Sequence, residues 1–171
     1  IRIAALERAL GHRPDAVVAA AQAQLNKLWH AGGAFIYEPI VTAAEHIIDI
    51  APDGIDKMFF MNSGAEAVET ALKAARKWGN KVKGVEEGKQ EIIACTNNFA
   101  GRTISIISFS TEEQYKDGFG PLTPGFKIVE YGNAKALKDA ITPNTVAFIV
   151  EPIQGEGGVI VPPDGYLKET F

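Results

Sequence analysis

An abrupt change from large apolar residues to very small ones is the feature that most constrains how this chain folds. Residues 57–61 (Lys-Met-Phe-Phe-Met) form a short apolar run, which stops at residues 62–66 (Asn-Ser-Gly-Ala-Glu). An amphipathic pattern with helical spacing follows directly. A continuous apolar run that gives way to a 3.6-residue period predicts a buried strand at 57–61 and a helix at 65–77.

The same alternation of elements continues along the chain. Short apolar runs without alternation are typical of strands that are covered on both faces, which is the environment of parallel sheets. We therefore predict an α/β fold with a mostly parallel or mixed sheet flanked by helices. Further strands are predicted at 91–96, 127–131 and 145–153, helices at 15–28, 40–50 and 134–141, and an extended or mixed element at 103–110.

Composition and charge exclude several classes of function. The net charge is −4 and there is no block of Lys or Arg, which argues against nucleic acid as a partner. The single cysteine, Cys95, cannot form an internal disulfide. The three histidines are isolated, so no metal site is expected. No apolar run approaches about 18 residues and no signal peptide is evident, so we expect a cytoplasmic protein without a membrane contact.

The turn at residues 63–65 is a candidate anion site. Ligands of α/β sheets lie beyond the carboxyl ends of the strands, facing the N-termini of the helices that follow. Free N–H groups and partial positive charge at a helix N-terminus favour phosphate, and small residues let the backbone approach it. Ser63 and Glu66 also fit a capping box. The alternative is an ordinary, well-capped crossover helix, and spacing does not decide between the two.

Two other stretches are weak candidates for phosphate loops. Residues 84–90 (GVEEGKQ) are one residue short of a P-loop and lack its Ser or Thr. Residues 155–160 (GEGGVI) lack the third glycine of the dinucleotide-binding fingerprint. ATPase and Rossmann dehydrogenase functions therefore have little support.

Three stretches together resemble one family. Residues 62–78 (NSGAEAVETALKAARKW) resemble the phosphate-binding turn and helix of class III, fold-type I aminotransferases. Residues 97–103 (NNFAGRT) are similar to the aromatic-x-Gly-Arg-Thr segment of that family, and residues 151–156 (EPIQGE) to its strand end. The resemblance implies that the cofactor is pyridoxal 5′-phosphate (PLP) and that the substrates are an amino acid and a 2-oxo acid.

The resemblance also implies which residues contact the cofactor. Gly64 and Ala65 would donate backbone amides to the phosphate, with Ser63 beside them. Phe99 would stack on the pyridine ring of the cofactor. Without its neighbours, Phe99 would be read as an ordinary core aromatic.

Three charged residues are implied to bind substrate. Arg102 would hold a substrate carboxylate through its planar guanidinium, although a structural ion pair is the alternative. Glu156 matches a glutamate that is thought to act as a switch by pairing with an arginine located after Phe171. Glu151 is a further candidate, or else a hydrogen-bonded structural carboxylate, and the role of Gln154 stays open.

Two further stretches are most similar to ornithine δ-aminotransferases within the family. They are residues 75–93 and 111–132, which flank the second motif. The expected reaction is transfer of the δ-amino group of ornithine to 2-oxoglutarate, giving glutamate semialdehyde and glutamate. Acetylornithine and 4-aminobutyrate aminotransferases share the central motifs and remain alternatives.

The resemblance also implies what this sequence leaves out. The family's Schiff-base lysine and the aspartate that pairs with the pyridine nitrogen would follow Phe171, so no catalytic residue is assigned here. Residues 1–171 would then be an incomplete large domain, with residues 1–10 a poorly matching lead-in and the small domain absent. A homodimer is expected. The alternative from another class is a truncated, inert paralogue, and the 171 residues alone are expected to be inactive.

Overall fold

The computed structural model describes residues 10–33 and 35–171. The chain divides into two compact units, Ile1–Phe60 and Met61–Phe171, which are described separately. Most of the predicted lead-in, residues 1–9, lies outside the described residues. Within the described part of the chain, no helix combines the length and apolar content needed to cross a membrane.

The first unit contains the two helices expected from the sequence. Helix α1 spans Asp15–Leu25 and follows Pro14, whose fixed φ suits the helix entry. Helix α2 spans Glu38–Asp49 and has proline in its first turn. Gln24 links the two helices because its Nε2 donates to the hydroxyl of Tyr37 at 2.8 Å. Both predicted helices are confirmed, with small differences at their ends.

The predicted buried strand at 57–61 is wrong. These residues form no strand, and the side chains of Met58 and Phe59 are 37% and 76% exposed. The apolar run correctly indicates a preference for burial, but a strand also needs a hydrogen-bonded neighbour. No described segment pairs with residues 57–61. The sequence of one segment cannot show whether such a partner is present.

The second unit is built on a parallel sheet of three strands. Strand β1 (Glu91–Cys95) lies in the centre, between β2 (Phe126–Val129) and β3 (Thr145–Ile149). Ile92 is opposite Phe126 in β2 and Ala147 in β3, and both pairings are parallel. The three predicted strands and the parallel sheet are therefore confirmed, although β3 ends four residues earlier than expected.

The helices of the second unit lie before β1 and after each of the three strands. They are α3 (Gly64–Lys81), α4 (Ile104–Ile107), a 3-10 turn (Glu113–Tyr115), α5 (Ala134–Ala140) and α6 (Tyr166–Thr170). The expected helices at 65–77 and 134–141 are confirmed as α3 and α5. The element predicted at 103–110 as extended or mixed contains no strand, and its regular part is α4, a single helical turn that buries Ile106 and Ile107. So short an apolar segment has no readable period.

Helices cover both faces of the central strand. On one face, Ile92 and Ala94 pack with Leu72 of α3. On the other face, Ile93 and Cys95 pack with Leu137 of α5. All four strand residues are buried, which explains why β1 is a continuous apolar run without alternation.

A glycine allows α3 to approach the sheet closely. Gly79 is buried, and a Cβ atom built on it would lie 2.3 Å from Cγ1 of Val146 in β3. Such a distance is far below van der Waals contact, and valine is stiff at χ1. Gly79 therefore sets how near the C-terminal half of α3 lies to β3.

We predict that Gly79→Ala destabilises the protein, although alanine is the better helix former by about 1 kcal/mol. Overpacking should lower the free energy of unfolding by about 1–3 kcal/mol, measured by urea denaturation. Val146→Ala should restore much of the loss in the double variant. The control is Gly64→Ala in the first turn of α3, where a built Cβ meets no atom within 4 Å. Equal effects of the two glycine substitutions would contradict the packing explanation.

A partly buried ion pair joins the beginning of β1 to β2. Lys127 Nζ lies 2.8 Å from Oε2 of Glu91, and the hydroxyl of Thr142 donates to the same carboxylate. The hydrogen bond from Lys127 and that from Thr142 lower the pKa of Glu91 below its ordinary value. A carboxyl with a lowered folded-state pKa stabilises the fold above its unfolded pKa, and this contribution is lost as pH falls through the folded pKa.

We predict that Glu91→Gln reduces stability by about 0.2–1 kcal/mol at pH 7, a range typical of partly exposed pairs. The difference from the wild type should shrink when pH falls below the ordinary glutamate pKa of 4.5. Urea denaturation at pH 7 and at acidic pH measures both effects. Glu86→Gln, at an exposed carboxylate, is the control. A deficit that does not change with pH would rule out the ion pair as its source.

Candidate functional site

The candidate site lies at the edge of the sheet where the parallel strands have their carboxyl ends. The loop after β1 (residues 96–103) and the loop after β3 (residues 150–157) both begin there. The N-terminus of α3 lies against the first of these loops. The three motif segments of the sequence are therefore adjacent in space, as expected for a ligand site of an α/β sheet.

Ser63 caps the N-terminus of α3 as predicted, but the Glu66 carboxylate bonds to the Ser63 hydroxyl and not to its backbone N–H, so only half of the predicted capping box forms. The Oγ of Ser63 accepts from the backbone N–H of Glu66 at 3.2 Å and donates to Oε2 of the same residue at 3.0 Å. The carbonyl of Ser63 accepts from the amide of Ala67. The helix itself offers no acceptor to the amides of Gly64 and Ala65, so these are the donors available to an anion.

A close backbone contact joins this turn to the loop after β1. Gly101 has a φ of +132°, and a Cβ built on it would lie 2.9 Å from Cβ of Ala65. The hydroxyl of Thr103 also donates to the carboxylate of Glu69 on α3. Only glycine suits both the backbone angle and the space at position 101. The contact with Ala65 thus explains why position 101 is a glycine.

Glu151 connects the loop after β1 to the loop after β3. Its Oε1 accepts from the backbone amide of Phe99 at 2.9 Å, and its Oε2 accepts from the amide of Gly155 at 3.4 Å. The carboxylate therefore holds the backbone of Phe99 and the turn that carries Glu156. These contacts are those of a hydrogen-bonded structural carboxylate, and binding of substrate by Glu151 stays a prediction.

Gln154 also joins the same two loops, and Asn98 fixes the loop after β1. Gln154 is 1% exposed, and its Nε2 donates to the carbonyl of Thr96 at 2.7 Å, just after β1. Its backbone forms two hydrogen bonds with Ile160, which close the loop around Glu156. Asn98 Nδ2 donates to the carbonyls of Cys95 and Phe109. Sequence reasoning left Gln154 without a role and missed Asn98.

Phe99 lines two cavities, each of about 170 Å³. Polar side chains dominate the first, which Asn97, Glu112 and Glu156 line. Apolar side chains dominate the second, which lies over the sheet and includes Val68 of α3. Because it lines both cavities, Phe99 differs from a core aromatic residue.

Arg102 lies against two aromatic rings. The carbon at the centre of its guanidinium is 5.5 Å from the ring centroid of Phe99 and 5.5 Å from that of Tyr115. The two rings also contact each other edge to face, with centroids 6.3 Å apart. The structure thus places Arg102 beside Phe99 and above the 3-10 turn that ends at Tyr115. The alternative of a structural ion pair has no partner within the described residues.

A buried thiol and a buried phenol lie under the site. Cys95 Sγ is 3.6 Å from the hydroxyl of Tyr166, and both residues are at most 3% exposed. Burial raises the pKa of the Cys95 thiol and the pKa of the Tyr166 hydroxyl. Burial likewise raises the pKa of Tyr131, whose ring packs on Tyr166. Cys95 is therefore protonated at neutral pH and is not a nucleophile.

The structure brings the predicted site residues together at this one edge. Ser63, Gly64 and Ala65 are at the helix N-terminus, Phe99 and Arg102 in the adjoining loop, and Glu151 and Glu156 in the next. Tyr115 was missed, since a lone tyrosine between charged residues carries no signal of a site. Among the described residues, no group of three or more His, Cys, Asp or Glu side chains could hold a metal ion.

Comparison with known proteins identifies relatives of this arrangement. The family described as "Aminotransferase class-III" matches residues 3–170. An ornithine aminotransferase from a Geobacillus species is 50% identical over 161 residues, which are 94% of this chain and 40% of the relative. This chain therefore spans about two fifths of the length of that relative.

Solved structures agree with this comparison. An ornithine aminotransferase from Toxoplasma gondii, with partial occupancy of PLP at its active site, is 43% identical with a TM-score of 0.88 and is covered over 37% of its length. That alignment includes 93% of this chain. An acetylornithine aminotransferase from Elizabethkingia anophelis is 44% identical with a TM-score of 0.74, over 94% of this chain and 39% of that protein. The chain belongs to the class-III aminotransferase family.

Proposed function

We propose that this chain forms the phosphate-binding and substrate-binding part of a PLP-dependent aminotransferase that acts on ornithine. The observation that carries the proposal is the contact between two motifs, in which Gly101 lies against Ala65 at the start of α3. This contact brings the N-terminus of α3, where an anion could bind, next to the loop that carries Phe99 and Arg102. The reaction would move the δ-amino group of ornithine to 2-oxoglutarate, producing glutamate semialdehyde and glutamate.

The residues present fit the phosphate and the ring of PLP. The amides of Gly64 and Ala65 point out of an 18-residue helix, and no atom lies within 4 Å of a Cβ built on Gly64. The Ser63 hydroxyl already donates to Glu66, so the backbone amides are the better phosphate donors in this turn. Phe99 borders an apolar cavity in which a flat aromatic ring can stack on it.

The side chains nearby suit an amino acid with charged ends. Arg102 would bind a carboxylate of the substrate, and Glu156 lines the polar cavity on the Phe99 side. Glu151 fixes the backbone between these groups, so its main contribution would be to their relative position. Bound PLP supplies an aldehyde that takes up amino groups and a ring that draws electrons from the reacting carbon.

The rest of the proposal concerns the longer protein of which residues 1–171 would be part of the large domain. The lysine that links to PLP and the aspartate at the pyridine nitrogen would be supplied outside this sequence. The protein would be a cytoplasmic homodimer, an expectation that rests on the family resemblance and on the single cysteine. Ornithine is favoured over acetylornithine or 4-aminobutyrate because several ornithine aminotransferases are 45–50% identical to this chain.

The phosphate site can be tested on this chain with pyridoxamine 5′-phosphate, which has no aldehyde and cannot react with surface lysines. We predict that the chain binds this compound more tightly than pyridoxamine. Gly64→Asp should reduce the affinity about tenfold, equivalent to roughly 1.4 kcal/mol, because the new carboxylate repels the phosphate. The same carboxylate should not reduce thermal stability, since acidic residues are favourable in the first turn of a helix. Isothermal titration calorimetry and thermal melts measure the two quantities.

The matched control is Gly64→Asn, which adds a side chain of the same shape without the charge. It should weaken binding less than Gly64→Asp. If pyridoxamine and its phosphate bind equally well, or if the two variants behave alike, the phosphate is not held by this helix N-terminus. The ordinary crossover helix would then be the correct interpretation.

The reaction is tested with the longer protein. We predict that it consumes ornithine with 2-oxoglutarate and forms glutamate semialdehyde, which can be trapped and measured by absorbance. Turnover with N-acetylornithine or 4-aminobutyrate should be at most about one tenth of that with ornithine. A few contacts to one end of the substrate can supply this discrimination. Preference for another donor would reassign the subfamily. Absence of any transamination with PLP present would support the inert paralogue.

A further inference from the structure

Tyr115 contributes a second aromatic wall to the surroundings of Arg102. Its ring and that of Phe99 both lie 5.5 Å from the centre of the guanidinium. The two rings come from different parts of the chain, since Phe99 follows β1 and Tyr115 ends the 3-10 turn Glu113–Tyr115. Tyr115 also lines two cavities, the polar one that Glu156 lines and another that Arg102 lines.

This arrangement limits how the guanidinium can bind a ligand. A guanidinium is planar, and all its N–H groups point outward within that plane. Aromatic rings attract the cation and occupy space next to it, so they favour a restricted set of orientations. Within the described residues Arg102 makes no side-chain hydrogen bond, so its N–H edges are available to a planar carboxylate.

Among the residues that the structure describes, Tyr115 makes its side-chain contacts through the ring and not through the hydroxyl. Tyr115 is half-buried, and its ring contacts the ring of Phe99 and the guanidinium of Arg102. The turn that carries it is fixed by its own interactions, including the amide of Tyr115 donating to the carbonyl of Glu112. A salt bridge between Lys116 and Glu113, at 3.1 Å, spans the same turn.

We propose that Tyr115 is a positioning residue that holds the guanidinium of Arg102 in the orientation that binds the substrate carboxylate. This inference rests on the proposed function, because it takes Arg102 as the carboxylate-binding residue. Tyr115 acts through Arg102 and does not itself touch substrate. Tyr115 therefore determines affinity for the carboxylate end of the substrate, while the phosphate of the cofactor is held independently at α3.

The test uses glutarate as the probe, a dicarboxylate with no amino or keto group to react. Affinity is measured by titration of the Arg102 Nε–Hε NMR signal, which is assigned by its loss in Arg102→Lys. Tyr115→Phe keeps the ring and should bind glutarate within about twofold of the wild type. Tyr115→Leu removes the ring but keeps apolar bulk, and it should weaken glutarate binding about tenfold. Of the phenylalanine and leucine variants, only Tyr115→Leu should lose the part of the Nε–Hε ring-current shift that comes from residue 115, since the ring of Phe99 remains.

A double-variant cycle shows whether Tyr115 acts through Arg102. In an Arg102→Gln background, where glutarate binding is followed by backbone amide shifts, Tyr115→Leu should have no further effect on affinity. Coupling of this kind is not expected from a residue that only stabilises the fold. Thermal melts check folding, and Tyr115→Trp, which retains an aromatic face, serves if the leucine variant does not fold. The tryptophan variant should keep both the ring-current shift and glutarate affinity, and loss of either would overturn the proposal.

The proposal is overturned if Tyr115→Leu and Tyr115→Phe weaken glutarate binding equally, or if Tyr115→Leu has the same effect with and without Arg102. It is also overturned if glutarate does not shift the Arg102 signal of the wild type. Binding of pyridoxamine 5′-phosphate is measured on the same variants and should be unchanged. If the wild type does not bind pyridoxamine 5′-phosphate more tightly than pyridoxamine, the proposed function is wrong. This result is distinguishable from one that overturns only the role of Tyr115.

Discussion

The hydrogen bond from the amide of Phe99 to the carboxylate of Glu151 is the interaction on which the candidate site depends. It joins the loops after β1 and β3, which are neighbours in the sheet but about fifty residues apart in the chain. A carboxylate that accepts from backbone amides makes stronger, shorter hydrogen bonds than a neutral acceptor would. Gln154 adds a second link between the same loops through the carbonyl of Thr96. The positions of Phe99 and of the turn around Glu156 follow from these two side chains.

Close packing of small residues supplies the remaining constraint. Gly101 lies against Ala65, and Gly79 lies against Val146, so glycines mark both ends of the contact between α3 and the rest of the unit. Side chains at these positions would push the helix away from the sheet. The N-terminus of α3 could then no longer lie beside the loop that carries Phe99 and Arg102. Helix packing and a site for an anionic ligand are thus consequences of the same residues.

Much of the second unit could be predicted from its sequence because its signals are local. The apolar run of β1 and the helical stripe of α3 are each readable from neighbouring residues, and Ser63 with Glu66 marks a helix start. The strand prediction for residues 57–61 was wrong for the opposite reason, since an apolar run shows a preference for burial but not the presence of a pairing strand. The helical turn that contains Ile106 was not predicted, because one turn is too short to show a period. Tyr115 could not be found because its contacts join segments that no spacing rule connects.

The sequence by itself determined the class of fold, the order of the three paired strands and of helices α1, α2, α3 and α5, and the three motifs that indicate the family. These are set by side-chain periodicity, helix capping and residue size, all of which act over a few neighbouring positions. Only the tertiary structure decided that Glu151 holds the backbone of Phe99, that Gly101 must be small because of Ala65, and that Arg102 lies against two rings. Each of these contacts joins residues that are distant in the chain, and their distances follow from how the sheet and its helices pack.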